Sequence, residues 1–81
     1  MMDYRTFPYV YIGQGTEGQS ITISELIGAT VILVIKGDKI HLPTVNNPLP
    51  GQYMADVLTG LLTFGNDINE GEPIQIIYRK S

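Results

Sequence analysis

The sequence predicts an all-β fold, a small antiparallel β-sandwich or barrel of six to seven short strands with no substantial helix. Three observations carry this prediction. Of 81 residues, 23 are β-branched (11 Ile, 5 Val, 7 Thr) against 2 Ala. Such side chains are stiff at χ1 and suit a pleated surface, whereas Ala and unbranched polar residues favour helix. Short apolar runs alternate with Gly, Pro and Asn turn signals at roughly ten-residue spacing, as in small sandwiches and barrels. The longest uninterrupted apolar stretch, residues 31–35, is one strand long and far short of the ~18 residues of a membrane span.

The elements follow in order. Residues 6–12 (TFPYVYI) read as the first strand, with Phe7, Tyr9 and Tyr11 on one face and Val10 and Ile12 on the other. Pro8 cannot donate to a ladder, which places this strand at a sheet edge or its first half outside the sheet. Residues 13–18 form a flexible turn and residues 20–23 a short strand with Ile21 and Ile23 on one face. Residues 24–28 have room for one 3₁₀ turn, which is expected to tuck Leu26 and Ile27 inward.

Residues 30–36 (TVILVIK) are apolar on both faces and should form the most buried strand. Gly37-Asp38 suits a two-residue type II′ turn, so residues 39–42 should fold back antiparallel. The proline-rich segment 43–51 reads as a polyproline-like crossover, because each proline fixes its own φ and extends its predecessor. Residues 52–57 and 61–64 are strands joined by a Thr59-Gly60 turn. Residues 65–71 are a polar loop, and residues 74–79 close the domain with Ile74, Ile76 and Tyr78 on one face.

Residues 1–81 make one domain. A chain of this length buries only about 60 to 65% of the surface its unfolded form exposes, and is marginal without a supplementary constraint. Cysteine is absent and there is a single His, so neither a disulfide nor a structural zinc is expected, and no cofactor is implied. Oligomerisation is the expected supplement. The net charge of -3, with the basic residues Arg5, Lys36, Lys39, Arg79 and Lys80 scattered in sequence, argues against nucleic-acid binding, which needs a concentrated positive face. No signal peptide or membrane segment is expected.

Four features invite a chemical reading. GQGTEG at residues 13–18 matches G-x-G-x-x-G, but in a dinucleotide site the third glycine opens a helix; here QSITIS, a strand, follows. DINEGE at residues 67–72 resembles the start of a calcium loop, yet its glycine comes one place early and the twelfth position is Tyr78 rather than Glu, which favours a solvated loop. Phe7, Tyr9 and Tyr11 could stack on sugars or bases, but alternation on one strand face more often marks a core or interface face. His41 has no Ser, Asp or Glu at a spacing that identifies a catalytic partner, and no serine lies in a nucleophile-elbow context. No catalytic residue is nominated.

From Gly18 onward the order of motifs resembles the small β-domains of tailed-bacteriophage virion proteins, the modules appended to fibres, baseplates and capsid decorations. The resemblance is carried by Gly18-Gln19-Ser20 before Ile21 and Ile23, and by the apolar strand from Thr30 ending at Gly37-Asp38. It continues through Tyr53, Asp56, Thr59-Gly60, LLTFG at residues 61–65 and NEGEPIQIIY at residues 69–78. It implies a non-enzymatic structural protein, synthesised in the host cytoplasm and located in the virion. Its partners would be itself, a trimer being favoured, and other virion proteins, with neither nucleic acid nor membrane. A chain of this length beginning at Met1 suits a capsid decoration or adaptor better than a fibre shaft. Apolar residues on both faces of strands point the same way, and Phe7, Tyr9, Tyr11 and Ile77 are the expected interface. The alternative function is a carbohydrate-binding module using the aromatic strand face.

Overall fold

A computed structural model describes residues 5–80. Seven strands form one curled mixed sheet, a half-barrel: β1 (Arg5–Ile12), β2 (Ser20–Thr22), β3 (Thr30–Lys36), β4 (Lys39–Pro43), β5 (Gln52–Asp56), β6 (Leu61–Phe64) and β7 (Pro73–Lys80). Their order across the sheet is β1-β7-β3-β4-β5-β6-β2. The all-β expectation holds. The expected choice between sandwich and barrel resolves as a half-barrel, and the sheet is not wholly antiparallel, because β4 and β5 pair in parallel through Leu42↔Gln52 and Pro43↔Tyr53.

Pro8 explains where the first strand sits. β1 is an edge strand, paired along its whole length with β7 from Arg5↔Lys80 to Ile12↔Pro73, so the missing N–H is tolerated at the border of the sheet. At the other edge β2 contributes three residues against β6. A three-residue edge offers little for another chain to extend.

Between β2 and β3 a single 3₁₀ turn spans Ser24–Leu26. With three residues per turn, Ile23, Leu26 and Ala29 line up on one side, and all three are buried. Ile27 falls between them and is 47% exposed, which corrects the expectation that it turns inward. The β3–β4 hairpin closes through Lys36↔Lys39 with Gly37 at φ 68 and Asp38 outside the positive-φ region, as a type II′ turn requires.

The crossover runs from β4 to β5 in eight residues, short for a parallel connection. It doubles back sharply, with Asn47 at φ 48 and Gly51 at φ 89, and Gln52 N–H closes a turn on the Leu49 carbonyl at 2.8 Å. The Gln52 side-chain carbonyl accepts from Leu49 N–H at 3.0 Å. Gly65, just after β6, lies so close beneath this loop that a Cβ there would meet the Leu49 carbonyl carbon at 2.0 Å.

The core fills the concave side. Val34, Leu62, Phe64, Ile74 and Ile76 are fully buried there, with Ile68 reaching in from the loop 65–72. β7, flanked by β1 and β3, contributes three buried residues, Ile74, Ile76 and Tyr78, against two in β3, and half of the four residues of β6 are buried. That corrects the assignment of β3 as the most buried strand. β3 is interior to the sheet, yet only its concave side is covered.

Candidate functional site

The outer, convex face of β1, β7, β3 and β4 is built by alternation and one irregularity. Along β7 the inward residues Ile74, Ile76 and Tyr78 alternate with Gln75 and Ile77 on the outside. The registers put Val10 beside Gln75 and Gln75 beside Ile35, which in turn pairs with Ile40. The adjacent row runs from Pro8 through Ile77 to Leu33. On β3 the register slips between Val31 and Leu33, so two residues stand opposite Ile77. This bulge resets the alternation: Val31 packs on the core, Ile32 and Leu33 occupy the outer side, and Val34 and Lys36 return inward.

The result is an apolar outer surface. Val10 is 59% exposed, Ile12 54%, and Ile40 and Leu42 64% each, with Ile32 also exposed and Leu33, Ile35 and Ile77 half-buried between them. Together they expose on the order of 600 Å² of apolar surface, at the top of the ~300 to 600 Å² range of the largest patch on a typical monomer. Gln75 is the polar residue at its centre, exposed and flanked by Val10 and Ile35.

The four residues nominated from sequence divide between the two faces. Ile77 lies on the outer face. Phe7, Tyr9 and Tyr11 lie on the concave face, opposite Tyr78, Ile76 and Ile74. Tyr9 and Tyr11 pack against the core, and Phe7 stacks on Tyr78 with ring centroids 5.5 Å apart. The Tyr11 hydroxyl donates to Glu17 Oε2 at 2.5 Å. Tyr9 and Tyr11 are therefore engaged by the protein's own side chains, whereas Phe7 stays 38% exposed beside Tyr78. The exposed apolar residues Val10, Ile12, Ile40 and Leu42 were not nominated from sequence; the signal available was that both faces of residues 6–12 and 30–36 are apolar while the concave core can cover one.

The glycine-rich loop 13–18 supplies its own anion. Glu17 Oε2 accepts from Gln14 N–H at 2.8 Å and Oε1 from Thr16 N–H at 3.1 Å, so the amides that a phosphate would use are occupied by a carboxylate. The Tyr11 hydrogen bond, opposed by burial and assisted by the backbone amides, lowers the Glu17 pKa to about 2. In return the bond to Glu17, with burial, raises the Tyr11 phenol above its ordinary value.

A second polar cluster lies inside the half-barrel at the hairpin end. Lys36 is 4% exposed. Its ammonium donates to Glu72 Oε1 at 2.9 Å and to the Asp67 carbonyl at 3.0 Å, and sits 5.6 Å from the Phe64 ring centroid. Burial pushes the Glu72 carboxyl upward, but the Asn69 amide, the Lys36 hydrogen bond and charge, and the His41 charge outweigh it and hold the pKa below the ordinary value. His41 is buried against Phe64 edge-on, and its Nδ1–H donates to the Lys39 carbonyl at 3.0 Å. These groups line a cavity of about 310 Å³ together with Asp38, Lys39 and Asn69.

In chemical terms the cluster fastens the loop 65–72. The loop's carboxylate and one of its carbonyls are held by Lys36, and Ile68 plugs the core beside them. Of the serines, Ser20 Oγ pairs with Thr63 Oγ1 at 3.0 Å and Ser24 Oγ with Glu25 at 2.9 Å, not with His41. The third, Ser81, lies outside the described residues. Among the described residues no three His, Asp or Glu side chains converge as metal ligands, and no helix is long and apolar enough to cross a membrane. No protein-family model, curated protein or solved structure matches the chain.

Proposed function

We propose that this protein is a non-enzymatic structural module that acts by self-association and by docking on a larger assembly, through the outer face of the β1-β7-β3-β4 sheet. The observation that carries this reading is the exposed apolar surface around Val10, Ile12, Ile40, Leu42 and Ile77. Scattered exposed apolar residues are ordinary, whereas a contiguous patch at the top of the range for monomers is of the size that often serves a function. The marginal core of an 81-residue chain without cysteine gives the same face a second role, because covering it supplies burial that one copy lacks.

The resemblance of residues 18–78 to phage virion modules supplies the proposed host assembly, a virion in which this chain is a decoration or adaptor. The test has two parts. Sedimentation at tens of micromolar is expected to give a mass above that of one chain. Particles purified from cells making the protein alongside the other virion components are expected to retain it. A single monomeric species that no particle retains overturns the reading.

A further inference from the structure

We infer that the outer face binds a second copy of this chain about a two-fold axis passing near Gln75, so that two half-barrels pack convex face to convex face. This rests on the self-association proposed above and specifies its symmetry and centre.

Two observations select this occupant. The first is the chemistry of the patch centre. Val10 and Ile35 flank Gln75 in its row, Ile77 follows it on the same strand, and Ile12, Leu33 and Ile40 complete the surround. An amide both donates and accepts, so Gln75 is the complement of its own image across a two-fold axis; a lone carboxylate or ammonium there would face a like charge. In an isologous pairing Val10, Ile35 and Ile77 around Gln75 meet the apolar surround of its image, and the central polar groups satisfy one another. The second is area. Two patches on the order of 600 Å² bury at most about 1,200 Å², the lower edge of specific protein interfaces, which fits a dimer that associates weakly and reversibly. The edges do not provide an easier route, since β2 is three residues long and Pro8 removes a donor from β1. The resemblance implied a trimer instead, and mass separates the two.

The absence of cysteine makes the test direct. Gln75→Cys and Val45→Cys, the latter on the crossover loop at 97% exposure, are treated with a short bis-thiosulfonate that spans the few Å left between two cysteine sulfurs when sheets pack ~10 Å apart. Efficient covalent pairing is expected for Gln75→Cys and only background pairing for Val45→Cys. In sedimentation, wild type and Gln75→Leu are expected at the dimer mass, and Gln75→Glu, which opposes two carboxylates on the axis, at the monomer mass with unchanged circular dichroism. A trimer mass, a dimer that survives Gln75→Glu, or equal cross-linking of the two cysteine variants overturns the two-fold packing while leaving self-association standing. A monomeric wild type overturns both.

Discussion

Glu17 and Lys36 show how single residues replace the staples this chain lacks. Glu17 ties the loop 13–18 to β1 through the Tyr11 hydroxyl and two amides, and its pKa of about 2 lies below the ordinary 4.5. A carboxyl whose folded pKa is depressed contributes stability above its unfolded pKa and loses it as pH falls through the folded value. The melting temperature is therefore expected to fall as pH drops from 4.5 towards 2, and Glu17→Gln to flatten that dependence. Glu72, also depressed, adds in the same direction. Thermal melts of both proteins across this range check it. Lys36 poses the opposite problem, a buried charge that must keep its partner. Removing one member of a buried pair costs about 3 to 5 kcal/mol. Because Lys36 retains the Asp67 carbonyl and the Phe64 ring, Glu72→Ala is expected nearer the lower figure, read from urea unfolding. Lys36→Met combined with Glu72→Leu is expected to recover most of the loss. The Lys36–Glu72 pair was not legible in the sequence, where its two members lie far apart and in different elements.

At the scale of elements, most of the fold was legible because it depends on local signals. Alternation in residues 6–12 and 74–79, the Gly37-Asp38 turn and the proline in β1 each fix a conformation or an edge without reference to distant residues. Two features were not legible. The β3 bulge moves Ile32 and Leu33 to one side, but in an unbroken apolar run a slip of one residue leaves no trace in the pattern. The parallel β4–β5 pairing depends on where the crossover returns, and proline spacing stiffens the path without stating its end. Packing against that crossover gives the sharpest element-level prediction. Gly65→Ala places a Cβ against backbone rather than against a side chain that could swing away. It is expected to cost at least the 1 to 3 kcal/mol typical of overpacking, whereas Gly71→Ala, with nothing within 4 Å and only the penalty of φ 77, should cost about 1 kcal/mol. Equal losses of chemical stability in the two variants would contradict this account of the crossover.

For the whole molecule, the division of apolar residues between two faces governs behaviour. The concave face makes a core that one copy can close, with Phe64, Ile74 and Ile76 as its centre; the convex face makes a surface that one copy cannot close. The sequence displayed the surplus, and its aromatic richness drew attention to Phe7, Tyr9 and Tyr11. On β1 the rings of Tyr9 and Tyr11 went to the side where a small core needs volume, leaving Val10 and Ile12 outside. In the proposed dimer folding and association are linked, because a partner that binds only the folded chain stabilises it by mass action. Above the dissociation constant, each tenfold rise in concentration adds about 0.7 kcal/mol per chain to a dimer, half of the 1.4 kcal/mol per association event. A domain of this size shifts its melting temperature by about 4 to 8 °C per kcal/mol, which gives roughly 3 to 6 °C per decade of protein concentration. Ile40→Glu, on the outer face and away from the core, should leave the dilute-limit melting temperature within a few degrees of wild type and abolish the concentration dependence. Scanning calorimetry over two decades of concentration separates the two proteins. A wild-type melting temperature that does not move with concentration would mean that the outer face stays exposed in the folded chain.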